Sequence, residues 1–89
     1  MLVISVENAS YKLRGELSRW LVEVKNGVFA GKANPIIRDA LWRKVRCSQK
    51  DNGAVMIYSA DNEQGFCVEI HGEPRRNLVD IDGIRLVKI

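Results

Sequence analysis

Apolar positions fall along the chain in two alternating periods. The first run, "LVISV" at residues 2–6, is β-branched and nearly continuous, as a central strand is. Beyond Ser10, a suitable N-cap, the period lengthens. Leu13, Leu17, Trp20, Leu21 and Val24 recur at helical spacing and predict one buried stripe, which Asn26-Gly27 would stop. Lys12 with Glu16 and Arg19 with Glu23 form opposite-charge pairs four apart on the other side. "VFAG" at 28–31 predicts a short strand. Asn34-Pro35 predicts a second helix start, with Asn as cap and Pro at the first position. In that helix Ile37, Leu41 and Val45 form the buried ridge, and Asp39, Arg43, Arg46 and Lys50 the solvated one. Asp51-Asn52-Gly53 ends it. "AVMIYSA" (54–60) and "GFCVEIH" (65–71) predict a hairpin across "DNEQ". "GEPRRN" is a loop, and "LVDIDGIRLVKI" is extended chain broken near Asp82-Gly83.

This order predicts an α+β fold, with two helices on one face of a sheet. A ferredoxin-like two-layer sandwich, βαβαββ plus a C-terminal strand, is the common solution at this size. One departure stands out. The simple ferredoxin-like order has two strands between the helices, and only one is evident here.

The 89 residues make a single domain, 1–89. A chain this short buries only roughly 60–65% of its unfolded surface, which favours a homodimer. The charge is uneven. Residues 1–50 hold ten Lys/Arg against four Asp/Glu, whereas residues 51–89 hold four against seven. A basic half is compatible with an anionic partner. Cys47 and Cys67 are isolated and His71 is the lone histidine, so a zinc site lacks ligands. Two buried free thiols in a reducing cytoplasm are expected instead. "MLVISV" is too short for a signal peptide or membrane span, so no membrane partner is expected.

Two groups of residues could carry chemistry. Glu7 ends the first strand, where a carboxylate can bind a divalent cation. Magnesium keeps several waters and takes one or two carboxylates, and a two-fold dimer could supply the second Glu7. The competing reading is a strand end whose charge suits a nearby helix N-terminus. The second group is basic: Lys12 and Arg14 at the start of the first helix, and Arg75-Arg76 in a loop. Helix starts and arginine forks suit phosphate oxygens. Gly15, inside a helix at a cost of about 1 kcal/mol, suggests a close approach there. The competing reading pairs Lys12 with Glu16 and leaves Arg75-Arg76 solvated. No nucleophile constellation, P-loop or GxGxxG is present. No aromatic platform is evident, because Trp20 and Trp42 lie on or near the apolar ridges as expected core.

Several segments together resemble a known family: "EN" after the first strand, "LRG" at 13–15, "WLVEV" at 20–24, "GVF" and Gly31 at 27–31, Ile37-Arg38 with Trp42, "RR" at 75–76 and "VDIDGIRLV" at 79–87. They resemble the CRISPR-associated Cas-two family, in its type I-E branch, over nearly the whole chain. The resemblance implies a ferredoxin-like homodimer that bridges two dimers of the Cas-one integrase during CRISPR adaptation. It implies that Lys12, Arg14, Arg75 and Arg76, with Arg38 a further candidate, contact the backbone of captured double-stranded DNA. Lys12 departs from the arginine usual at its position.

The wider family carries an aspartate where Glu7 stands, linked to metal-dependent cleavage of RNA or duplex DNA. The leading expectation is therefore a sequence-blind scaffold needing no cofactor, with Glu7 a vestigial catalytic and metal position. The alternative is a magnesium-dependent endonuclease using Glu7. The apolar, β-prone end, with Ile84, Leu86, Val87 and Ile89, is expected to dock the integrase or a second protomer by strand addition.

Overall fold

The computed structural model describes residues 1–72. The elements are β1 (Leu2–Val6), α1 (Tyr11–Ser18), β2 (Val22–Lys25), β3 (Val28–Gly31), α2 (Pro35–Ser48), β4 (Ala54–Ser59) and β5 (Phe66–His71). The strands form one sheet in the order β2-β3-β1-β4-β5, and every neighbouring pair is antiparallel. This is the expected α+β, ferredoxin-like arrangement. It also removes the departure noted in the sequence, because two strands lie between the helices.

The added strand corrects the expected extent of the first helix. Ser10 does cap α1, its hydroxyl accepting from the Leu13 amide at 3.1 Å. The helix then ends at Ser18 rather than running to Asn26. Residues 22–25 instead pair with β3, Val22 opposite Ala30 and Glu23 opposite Phe29. The physical reason lies in "VEVKNGVFAG". Apolar residues alternate before Asn-Gly and a β-prone apolar run follows it, which is a hairpin signal. Val22 and Val24 are β-branched, so the extended state wins over a helical stripe that Leu21 and Val24 only partly satisfy. Trp20 falls in the connection and is 52% exposed, contrary to its expected core position. The pairs Lys12–Glu16 and Arg19–Glu23 do not form either. Glu16 binds Lys44 of α2 at 3.1 Å, and Glu23 binds Arg14.

The second helix follows its sequence closely. Asn34 accepts from the Ile37 amide at 2.8 Å, and Pro35 occupies the first turn. Leu41, Trp42 and Val45 are buried, and the helix runs to Ser48. Leu13, Leu17 and Leu21 join them over Leu2, Ile4, Val6, Phe29, Ala54 and Met56 to form the core. Cys47 lies on the exposed side of α2, not buried as expected, and Cys67 is half-buried on β5.

Among the described residues, no helix covers the opposite face of the sheet. Strand register places Val22, Ala30, Val3, Ile57 and Val68 in one row across all five strands. A second row joins Val28, Ser5, Val55 and Ile70. Exposed apolar side chains on this face include Val22, Ile57, Phe66, Val68 and Ile70. The extended segment expected over residues 78–89 lies outside the described residues.

Candidate nucleic-acid interface

Glu7 sits where β1 stops, and its backbone is held on both sides. Its amide donates to the Gly53 carbonyl at 3.1 Å, and its carbonyl accepts from Gln49 Nε2 at 2.6 Å. Gln49 is the C-cap of α2 and is 2% exposed, so this bond is a partly buried tie between helix and strand. The Glu7 side chain accepts a long bond, 3.4 Å, from the Gly53 amide through Oε1. Asn8 then turns the chain with φ +50°, a left-handed conformation that asparagine tolerates better than most residues. Among the described residues, no three His, Cys, Asp or Glu side chains gather as a metal-binding group. Among the described residues of one chain, Glu7 serves as a strand-end acceptor.

Arg14 lies one turn into α1 and reaches across to β2 and its turn. Its Nη2 donates to Glu23 Oε2 at 2.9 Å and to Asn26 Oδ1 at 3.0 Å. The same Glu23 oxygen accepts from the Gly27 amide at 3.0 Å. One carboxylate thus links helix, strand and hairpin turn. The turn is itself fastened to β1, since the Val6 amide donates to the Gly27 carbonyl at 2.8 Å. Gly27 has φ +83°, and a Cβ built there would lie 2.7 Å from the Val6 carbonyl oxygen. Glycine is required at this position on both counts. An open pocket of about 440 Å³ lies between these parts, lined by Val6, Asn8, Ala9, Arg14, Asn26 and Gly27.

The expected basic set divides across the fold. Lys12 is exposed and forms no ion pair among the described residues, whereas Arg14 is already engaged. Arg38 belongs to the other half of the sheet. It donates to Asp39 at 3.1 Å and stacks over Tyr58 of β4, its guanidinium carbon 4.1 Å from the ring centroid. Partial burial, then the Cys67 thiol and Glu69 carboxylate, push the Tyr58 hydroxyl above its ordinary pKa, and Arg38 acts the other way. β3 and β1 separate β4 from β2, so the Arg14 and Arg38 neighbourhoods are distinct. Arg75, Arg76, Ile84, Leu86, Val87 and Ile89 lie outside the described residues.

Among the described residues no packed element closes on Gly15, where a Cβ would meet nothing within 4 Å. Glu23, Asn26 and Gln49 were not foreseen as parts of this region. The Asn26-Gly27 hairpin signal could have found the first two, and nothing local points to Gln49.

These parts all lie within a family-level match. Residues 1–86 match the family model described as CRISPR-associated protein (Cas_Cas2CT1978). With the antiparallel α+β sheet and the carboxylate at the end of β1 in place, the chain belongs to this CRISPR-associated Cas-two family.

Proposed function

We propose that this chain is a homodimeric scaffold of CRISPR adaptation that holds the backbone of captured duplex DNA and bridges Cas-one integrase dimers. The observation that carries this reading is the sheet face that no helix covers among the described residues. Its row Val22–Ala30–Val3–Ile57–Val68 is apolar on every strand. Contiguous exposed apolar surface of this kind marks an interaction site. A second copy covers it with the same surface, as an isologous two-fold contact does.

The clamp draws on Lys12 and Arg14, with Arg75, Arg76 and Arg38 from the family resemblance. Contacts to phosphate position a duplex without carrying base information. Such contacts suit a protein that must accept any foreign sequence. The type I-E assignment and the docking of the integrase by Ile84, Leu86, Val87 and Ile89 belong to the same proposal. The scaffold role needs no cofactor. Magnesium enters only in the alternative endonuclease reading, through Glu7 from each protomer.

The test combines light scattering at micromolar concentration with duplex binding across a salt series, using two unrelated sequences. The expected outcome is a two-chain mass, with equal affinities that fall linearly in log salt. A one-chain mass, or affinity for one sequence only, overturns the scaffold reading.

A further inference from the structure

α2 carries more charge than the fold and the proposed clamp use. From Pro35 through Lys50 the sequence holds five cations, Arg38, Arg43, Lys44, Arg46 and Lys50, against the single carboxylate of Asp39. That net charge of +4 exceeds the +3 of the whole chain. Two of the five are accounted for locally. Arg38 lies over Tyr58 and binds Asp39, and Lys44 binds Glu16.

The remaining three, Arg43, Arg46 and Lys50, are exposed and form no ion pair among the described residues. Burial of Leu41, Trp42 and Val45 fixes the rotation of the helix. At 100° per residue, Arg43 then points away from the sheet, and Arg46 lies to the side, about 90° from the buried direction. Lys50 follows just after the C-cap, Gln49. Like charges three apart on a helix oppose folding by about 0.2–0.5 kcal/mol. The helix dipole favours Arg46, in the last turn, but gives Arg43 little.

We infer that this outer row of α2 is a second contact surface for the phosphate backbone of a nucleic-acid duplex, separate from the Lys12–Arg14 region. Arg43 and Arg46 lie about one turn apart on the helix, and Lys50 follows beyond its last residue, Ser48. Three successive exposed cations suit a polyanion better than a small anion. Glu16 joins the two surfaces through its bond to Lys44, because α1 and α2 pack side by side on the same face of the sheet. The inference shares only its duplex partner with the proposed function.

The test is duplex affinity across a salt series for the full chain and for R43Q/R46Q/K50Q. Glutamine keeps helix propensity, and the side chains are exposed, so circular dichroism should be unchanged. Each neutralised phosphate contributes about 0.9 to the slope of log affinity against log salt. The triple variant should lower that slope by about 2–3, equally for two unrelated sequences. Single R43Q should lower it by about one. A control triple of equal charge, R19Q/K25Q/K32Q, should lower it by less than one.

A slope unchanged in the α2 triple, or changed equally in the control, overturns the inference. So does a loss confined to one sequence. Full retention of duplex affinity would hand the row to an acidic protein surface. If the wild-type chain binds neither duplex, the proposed function falls as well. If it binds and R14A weakens it while the α2 triple does not, only this inference falls.

Discussion

Arg14 and Glu23 are joined at 2.9 Å through Nη2, the nitrogen that belongs to both planar forks of a guanidinium. Asn26 takes the second hydrogen of that nitrogen at 3.0 Å. Neither fork remains complete for a bidentate phosphate contact of the kind arginine usually offers. Arg14 can meet a phosphate through Nε or Nη1 singly while it holds the turn.

Arg14→Lys should therefore keep most of the duplex affinity, within about threefold, because charge and not fork geometry is presented. Arg14→Ala should weaken binding and also lower stability by about 0.5–1 kcal/mol, the size of a partly exposed ion pair. Binding titrations and urea unfolding on the same samples separate the two effects. A Lys variant as weak as the Ala variant would show that a free fork is needed.

The two glycines of this region should respond with opposite signs. Gly27→Ala places a Cβ 2.7 Å from the Val6 carbonyl oxygen at φ +83°, and should cost about 1–3 kcal/mol. Gly15→Ala meets nothing within 4 Å in an exposed helix, and should gain about 0.5–1 kcal/mol. Thermal unfolding measures both. A neutral Gly27→Ala would mean that the turn is not fixed to β1.

Gln49→Ala should destabilise by about 1–3 kcal/mol, because it leaves the Glu7 and Gly53 carbonyls without their side-chain donor. Amide hydrogen exchange at residues 6, 7 and 53 should quicken in this variant. Unchanged protection there would remove Gln49 as the tie between α2 and β1.

Ile57→Lys sets a charge in the middle of the apolar row between Val3 and Val68. Desolvating it should weaken dimerisation by more than about tenfold while the monomer keeps its fold. Sedimentation over a concentration series reads the change. A two-chain mass persisting at the lowest concentrations would place the dimer contact elsewhere.

Glu7→Gln keeps the shape and the bond from the Gly53 amide but removes charge and cation affinity. Integration by the reconstituted complex should stay within about twofold of wild type. If it were abolished while dimerisation and duplex binding persisted, the magnesium-dependent endonuclease reading would take over.

Local pattern made α2, β1 and the β4–β5 hairpin legible, because each carries one clear period and its own punctuation. β2 was hidden where two periods overlap, since Leu21 and Val24 fit a helix while Val22, Val24 and Asn26-Gly27 fit a hairpin. That single error concealed the candidate site. Glu23 lies near Arg14 only because β2 folds back beside α1. The Gln49–Glu7 tie spans 42 residues and leaves no local trace. The open face was readable in principle, since "LVISV" and "AVMIYS" are apolar on both sides of their strands, as doubly covered strands are.

β1, which is made before the other four strands described, is the middle one of the sheet. β1 gains a neighbour when β3 is made, but its other edge waits for β4, more than fifty positions downstream of Leu2 in the register Leu2–Tyr58. Until then the nascent chain carries an open, β-branched edge, the kind that other unfinished chains can add to. Assembly is therefore expected to proceed from an early half, β1 to β3 with α1, to a late closure by α2 and the β4–β5 hairpin. Ile4→Val, probed in refolding kinetics, should slow folding more than Ile57→Val does, and the reverse order would place the nucleus in the hairpin.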